Sequence, residues 1–179
     1  MIICGTGHRP NKLGGYGQDV CDDLIELARK GIELINTQSI LLPSGNMSDS
    51  IDAIISGMAL GWDQALATAA IQMDIKLIAA IPFIGQEKLW PAESQDIYNS
   101  ILEKADQVTV ICEGSYNPSK MQVRNEWMVN KSELVLALWD GTAGGTYNCV
   151  KYARERGITV RNLWDRYKII RGARYGRQI

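Results

Sequence analysis

Residues 134–146 read LVLALWDGTAGGT, in which six apolar residues are followed directly by Asp140 and a glycine-rich turn. A second run, IKLIAAI at residues 75–81, is apolar except for Lys76 and is followed by Pro82. Strands that are apolar on both faces are typical of parallel sheets with helices packed on both sides. These two runs therefore predict a sheet buried between two helical layers.

Around these two runs, short apolar segments alternate with amphipathic stretches about six times. The predicted strands are residues 2–4, 51–55, 75–81, 107–112, 134–139 and 158–160, and the predicted helices are residues 19–36, 62–73, 86–105, 121–131 and 146–156. Strands that alternate with helices pair in parallel through right-handed crossovers. The predicted fold class is α/β, with a single doubly wound, mostly parallel sheet.

Composition and charge narrow the class of protein. The 179 residues are 46% apolar and 22% charged, which is typical of one soluble globular domain, and the formal charge is −1. Residues 161–179 nevertheless carry six basic side chains and one acidic one, a net +5, against −6 for the first 160 residues. We therefore expect a sheet domain over residues 1–160 and a basic C-terminal tail over 161–179, used for packing or oligomerisation.

The cysteines and the single histidine exclude several kinds of site. The four cysteines are scattered, with no CxxC pair and no secretory leader ahead of them, which favours a reduced cytoplasmic protein. With His8 as the one histidine, the sequence offers no zinc-ligand spacing. No apolar run approaches the roughly 20 residues that span a bilayer. We expect no metal, no resident cofactor and no membrane partner.

Ligands of doubly wound sheets bind beyond the carboxyl ends of the strands, so the loops after the strands form the candidate site. The candidate ligand-binding residues are Gly5, Thr6, Gly7, His8 and Arg9 in the first loop; Ser56, Gly57, Met58, Gly61, Trp62 and Asp63 in the second; Pro82, Phe83 and Trp90 in the third; Arg124 and Asn125 on a helix; and Asp140, Gly141, Gly144, Gly145 and Thr146 in the fourth.

The residue types in these loops suggest their chemistry. Glycines let the backbone approach a ligand, and free N–H groups beside Arg9 suit a phosphate or carboxylate. Asp63, in a first helical turn, is either a cap or a partner for sugar hydroxyls. Trp62 either stacks on a base or fills core space, and His8 is either a structural hydrogen-bonding group or a catalyst. Glu87 follows the third strand and is a candidate general acid or base.

The segments GTGHRPNKLGGYG, IISGMALGWDQALATAA, IPFIGQEKLW and RNEWMVNKSELVLALWDGTAGGT occur in this order across residues 1–160. Together they resemble the YpsA-like branch of the SLOG superfamily, which is related to the LOG phosphoribohydrolases and to the DNA-processing protein DprA. The resemblance implies a Rossmann-like fold and a nucleotide pocket that includes Arg9, Asp63 and Arg124.

The same resemblance implies that N-glycosidic bond cleavage is possible, because LOG relatives cleave nucleoside monophosphates with an Arg and a Glu. Arg124 matches the Arg. Cys149 stands where both these enzymes and the similar nucleoside 2-deoxyribosyltransferases carry the catalytic Glu. A neutral thiol does not stabilise positive charge on a sugar as a carboxylate does. A hydrolase would have to use another carboxylate, and the catalytic candidates are therefore Glu87, Asp63 and Asp140 beside Arg124.

Two functional hypotheses follow. The first is a nucleotide-binding protein that acts as a sensor or as an N-glycoside hydrolase or transferase on free nucleotides. The alternative is a DprA-like DNA-binding or assembly protein that uses the basic tail, in which Trp164, Tyr167 and Tyr175 alternate with arginines and are able to stack on bases. The apolar residues of the tail, Leu163, Trp164, Ile169 and Ile170, favour packing on a neighbouring subunit in a homo-oligomer.

Overall fold

The computed structural model describes residues 1–38, 40–41, 45, 47–48 and 50–175, without the side chains of residues 40, 41, 47, 48, 174 and 175. The strands are β1 (Ile2–Gly7), β2 (Ile40–Leu41), β3 (Met47–Ser48), β4 (Ala53–Ser56), β5 (Lys76–Ile81), β6 (Gln107–Val110), β7 (Leu134–Leu138) and β8 (Thr159–Asn162). The helices are α1 (Gln18–Asn36), α2 (Trp62–Gln72), α3 (Ala92–Lys104), α4 (Pro118–Asn130), α5 (Gly145–Glu155) and α6 (Trp164–Tyr175).

Six of these strands form one sheet in the order β6-β5-β4-β1-β7-β8, and every pairing in it is parallel. The chain runs outward from β1 through β4 and β5 to β6, and then returns to place β7 on the other side of β1. The carboxyl ends of the neighbouring strands β1 and β7 therefore form the topological switch point, where ligands of such sheets bind. The predicted doubly wound, Rossmann-like α/β fold is confirmed.

Two apolar cores cover the two faces of the sheet. Residues of α1, α2, α3 and α6 pack on one face, around Ile3, Ile54 and Leu136. Residues of α4 and α5 pack on the other face, around Cys4 and Val135. Successive side chains of one strand thus pack in the cores on opposite faces of the sheet, which is why the central strands are rich in apolar residues at both alternating positions.

Some element boundaries differ from the predicted ones. The third predicted helix was expected from residue 86, but α3 begins after Pro91, because residues 82–91 form turns. The helix predicted from residue 121 begins three residues earlier at Pro118, where the side chain of Asn117 accepts a hydrogen bond from the N–H of Ser119 at 2.9 Å. The short strands β2 and β3, which pair in antiparallel fashion, had no counterpart in the prediction.

Residues 161–175, the described part of the predicted C-terminal tail, fold as part of the sheet domain. Residues 161–162 belong to β8, and α6 packs on the core through Leu163 and Tyr167. The hydroxyl of Tyr167 donates to the carbonyl oxygen of Leu13 at 2.6 Å, and Arg171 forms ion pairs with Asp19 and Asp23 on α1.

Leu163 packs within the chain's own core, Trp164 and Ile170 are half-buried against it, and Ile169 is 70% exposed. That the exposed part of these residues packs on a neighbouring subunit stays a prediction. Arg177 and the side chains of Arg174 and Tyr175 lie outside the described residues. Within the described ranges, no helix is both long and apolar enough to cross a membrane.

Candidate functional site

A pocket of about 380 Å³ opens at the carboxyl edge of the sheet, at the switch point between β1 and β7. It combines the loop after β1, the loop between β4 and α2, the first half of α4 and the loop between β7 and α5. Its lining residues are Thr6, Gly7, His8, Arg9, Asn11, Lys12, Ala59, Asp63, Met121, Arg124, Asn125, Thr142, Ala143, Gly144, Gly145 and Thr146.

Ten of the predicted ligand-binding residues line this pocket. They are Thr6, Gly7, His8, Arg9, Asp63, Arg124, Asn125, Gly144, Gly145 and Thr146. They come from positions as far apart in sequence as 6 and 146, and the parallel sheet brings them to one edge. Loop position relative to the strands was the signal that identified them.

A second group of predicted residues supports the pocket without lining it. A Cβ at Gly57 would collide with the guanidinium of Arg124, so only glycine leaves room for that side chain. Gly61 has a φ of +91°, and a Cβ there would lie 2.7 Å from the carbonyl oxygen of His8. The hydroxyl of Ser56 donates to the carbonyl oxygen of Asp63 at 2.7 Å. Gly5, Met58, Asp140 and Gly141 also do not line the pocket.

The aromatic candidates Trp62 and Trp90 do not line the pocket. Trp62 is fully buried, and its Nε1 donates to the carbonyl oxygen of Leu136 at 3.1 Å. Its ring fills the space that a side chain at Gly7 would need. Trp90 packs edge-to-face on Tyr98 and, like Pro82, Phe83 and Glu87, does not line the pocket. The core alternative for Trp62 is therefore the correct one, and the stacking role is wrong.

The loop after β7 supplies the N-terminus of α5 to the pocket. Gly144 precedes the helix with a φ of +149°, and no side chain caps the first turn. The first N–H groups of a helix have no partner within the helix and attract anions. A Cβ added at Gly145 would meet no atom within 4 Å, so the pocket floor at this point is open backbone.

Arg124 and Asp63 form a buried pair in the wall of the pocket. Nη1 of Arg124 lies 3.8 Å from Oδ2 of Asp63 and also donates to the carbonyl oxygen of Gly57, while Nε donates to Oδ1 of Asn125 at 3.0 Å. Burial raises the pKa of Asp63 to about 6, against the opposing effect of Arg124. Burial also lowers the pKa of Arg124, against the opposing effect of Asp63.

The carboxylate of Asp140 lies behind the pocket mouth. It accepts hydrogen bonds from the N–H and hydroxyl of Thr142 at 2.9 and 2.6 Å, and its Oδ2 lies 3.3 Å from Nζ of Lys12. Nε2 of His8 lies 2.7 Å from Oδ1 of Asp140. Partial burial raises the pKa of Asp140, but the hydrogen bonds from Thr142 and His8 together hold it well below its usual range.

Burial lowers the pKa of His8 from its ordinary value, and the hydrogen bond and charge of Asp140 oppose this effect. The backbone N–H of Asp140 donates to Nε2 of His8 at 3.0 Å. The ring packs edge-to-face on Trp164. These contacts favour the structural alternative for His8, which stays a prediction.

Cys149 is unsuited to act as a nucleophile. The residue is fully buried on α5, and burial raises the pKa of its thiol to about 11, against the opposing hydrogen bond with Thr6. The thiolate is the reactive form of cysteine, and almost none is present at neutral pH. The position that holds Glu in the similar enzymes is thus chemically inert here.

Sequence reasoning missed six of the lining residues: Asn11, Lys12, Ala59, Met121, Thr142 and Ala143. All but Met121 lie in the same loops as predicted residues. Asn11 and Lys12 belong to a short 3-10 turn at Pro10–Lys12, which folds the first loop back over the pocket. Met121 lies one helical turn before Arg124, and the spacing of three residues was the available signal for it.

Among curated proteins, two bacterial relatives illustrate the similarity. The chain is 37% identical over 117 residues to the uncharacterised SPbeta prophage-derived protein YoqJ of Bacillus subtilis, and the match covers 56% of this chain and 68% of YoqJ. It is also 26% identical over 167 residues to a UPF0398 protein of Bacillus thuringiensis, and this match covers 90% of this chain and 86% of that protein.

Two solved structures share the fold. DprA from Streptococcus pneumoniae superposes with a TM-score of 0.60 at 20% identity, over 89% of this chain and 49% of that one. DprA from Helicobacter pylori, a structure described for its single-stranded DNA binding mode, gives 0.58 at 17% identity, over 90% and 64% of the two chains. This chain thus spans about half to two thirds of the DprA chains. A family model named YpsA and described as the YspA SLOG family matches residues 3–160, and the chain therefore belongs to this family.

Proposed function

We propose that the pocket binds the phosphate and sugar of a nucleotide or nucleotide derivative. One observation carries the proposal: the uncapped, glycine-floored N-terminus of α5 lines the same pocket as Arg9 and Lys12. Free N–H groups, the helix dipole and two cations are the components of a phosphate site. Both cationic side chains are accessible from solvent, so an anion reaches them without unfolding the loop.

Asp63 is the candidate for the sugar. It is the one carboxylate among the residues that line the pocket, and carboxylates accept hydrogen bonds from ribose hydroxyls. Arg124 is committed to the carbonyl of Gly57, to Asn125 and to Asp63, so its main task is to hold Asp63 in place.

The proposal is tested by calorimetric titration of the wild-type protein with nucleoside monophosphates and nucleotide sugars. Arg9→Met should weaken binding about tenfold, as expected for the loss of a charge-assisted hydrogen bond. Lys168→Met is the matched control, because Lys168 is an exposed cation on α6 outside the pocket. An absence of binding for all these ligands would refute the proposal, as would equal losses in the two variants.

A second candidate function is N-glycoside hydrolysis or transfer on the bound nucleotide. The observation that favours it is the position of Asp63, since Glu87 and Asp140 do not line the pocket. A carboxylate near the sugar stabilises the positive charge of the transition state. Chromatography of nucleoside monophosphates incubated with the protein should then show free base, and Asp63→Asn should abolish its release. If the wild type binds nucleotides but releases no base, the hydrolase hypothesis is refuted and the sensor hypothesis remains.

The DNA-binding alternative stays a prediction and has weaker structural support. Arg171 pairs with Asp19 and Asp23, which reduces the positive charge that α6 offers to phosphates. Tyr167 is buried in the core and Trp164 is half-buried against it, which leaves little aromatic surface here for stacking on bases. Fluorescence anisotropy with a labelled single-stranded oligonucleotide at several salt concentrations distinguishes this reading, since phosphate contacts give a strong salt dependence. Homo-oligomer formation also stays a prediction, and light scattering in solution tests it.

A further inference from the structure

Asp140 is placed so that it acts through other residues. Its own side chain does not line the pocket, yet every side chain that it contacts does: His8, Lys12 and Thr142. These three partners come from two loops, the one after β1 and the one after β7. One carboxylate thus joins the two halves of the pocket mouth at the switch point.

We propose that Asp140 is a positioning residue: with His8 and Thr142 it forms a clasp that joins the two loops and holds Lys12 in place for an anion at the pocket mouth. The inference rests on the proposed function, because it assigns the anion of the ligand to this clasp. It gives Asp140 a role different from acid–base catalysis.

The contact with Thr142 sets the path of the loop. Oδ1 of Asp140 accepts from the N–H two residues later in the chain, which is a local side-chain turn that aspartate forms readily. Trp139 adds a second restraint, because its Nε1 donates to the carbonyl oxygen of Thr142 at 2.7 Å. The chain then reaches Gly144 and the open N-terminus of α5 in a fixed geometry.

The contact with Lys12 fixes a flexible cation. Nζ of Lys12 lies 3.3 Å from Oδ2 of Asp140 and also donates to the hydroxyl of Thr142. An ammonium has three donors, so one remains for a ligand oxygen. A lysine side chain loses rotamer entropy when it is ordered. Asp140 causes this loss before the ligand arrives, and the ligand then binds a side chain already in place.

Charge and positioning make opposite predictions for Asp140→Asn, and this gives the test its power. The substitution removes a negative charge beside the pocket, so a purely electrostatic role predicts tighter binding of anions. The positioning role predicts weaker binding, by about tenfold, the size of one lost charge-assisted hydrogen bond. Asp165→Asn is the matched control: it makes the same change of charge at an exposed residue on α6, outside the pocket.

The first arm measures binding of adenosine 5′-monophosphate and of inorganic phosphate by calorimetry. We expect about tenfold weaker binding in Asp140→Asn, no change in Asp165→Asn, and no further loss when Lys12→Met is combined with Asp140→Asn. Unchanged or tighter binding in Asp140→Asn would overturn the proposal, and additive losses in the double variant would overturn the part assigned to Lys12.

The second arm needs no ligand. His8 is the one histidine of the chain, so a single ring signal in a proton NMR titration reports its pKa. Asp140 raises the pKa of His8 and Lys12 lowers it, although burial is the larger effect. The pKa of His8 should therefore fall in Asp140→Asn and rise in Lys12→Met. An unchanged titration in Asp140→Asn would show that the clasp does not form. Wild-type protein that binds neither probe would refute the proposed function, while this second arm still decides whether the clasp exists.

Discussion

Gly145→Ala tests whether a ligand approaches the backbone at the start of α5. Gly145 is the first residue of the helix, its φ lies outside the positive region, and an added Cβ would meet no atom of the protein within 4 Å. The methyl group would therefore point into open space in the empty pocket. In the complex it would occupy the position from which a phosphate oxygen contacts the N–H groups.

The two effects of this substitution have opposite signs. Replacing a glycine by alanine without strain stabilises a protein by about 0.4–1 kcal/mol, because the unfolded chain loses freedom. For a chain of this size, that corresponds to a rise in melting temperature of roughly 1–4 °C. Binding should weaken by about 10–100-fold, which corresponds to the loss of one charge-assisted hydrogen bond or a little more.

Thermal denaturation followed by circular dichroism measures the first effect, and calorimetric titration with adenosine 5′-monophosphate measures the second. Gly172→Ala is the matched control, because Gly172 is an exposed glycine within α6 whose Cβ would also meet nothing within 4 Å. It should raise the melting temperature and leave binding unchanged. Undiminished binding by Gly145→Ala would refute the assignment of the phosphate to this helix start, and a lower melting temperature would refute the open space at Gly145.

Three further predictions concern the buried groups of the pocket. The pKa of Asp63 is about 6 in the native protein and about 4 in the unfolded chain, so the native state binds the proton more tightly. Lowering the pH from 7 to 5 should therefore stabilise the wild type relative to Asp63→Asn by on the order of 1 kcal/mol, measured by urea denaturation. Arg124→Met should cost about 3–5 kcal/mol in the same assay, because it leaves the carboxylate of Asp63 buried without its cation; a loss no greater than that of the exposed Arg166→Met would contradict the pairing. Alkylation of the native protein at pH 8, read by mass spectrometry, should modify the half-exposed Cys21 and Cys112 and spare Cys149, whose thiol has a pKa near 11; rapid modification of Cys149 would show that the core between α5 and the sheet opens.

The fold was predictable because periodicity reports burial directly. The run at residues 134–139 is apolar at every position and the run at 75–81 is apolar except for Lys76, and only a strand covered on both faces places nearly all these side chains in a core. The edge that carries the site followed from the same pattern, since parallel strands bring their carboxyl ends together. Arg124 and Asp63 were identified by loop and helix position, and they prove to be a buried pair.

The environment of individual side chains was harder to predict. Trp62 follows a glycine-rich turn, as a stacking residue would, but its position was decided by Gly7, which lies 55 residues earlier and leaves room for the ring. Lys12 was passed over as a site residue because its importance comes from Asp140 and Thr142 on another loop. Contacts of this kind depend on tertiary packing, and no local sequence pattern encodes them.

The hydrogen bond from Tyr167 to the carbonyl oxygen of Leu13 has a practical consequence for protein engineering. It ties the last described helix to the end of the loop that carries Arg9 and Lys12. A shortened version that stops at residue 160 would remove this tie together with half of β8, and would leave a cleft in the apolar layer beneath the pocket. Fusion partners should therefore be attached, and truncations made, beyond α6, so that the contact of this helix with the loop that carries Arg9 and Lys12 is kept.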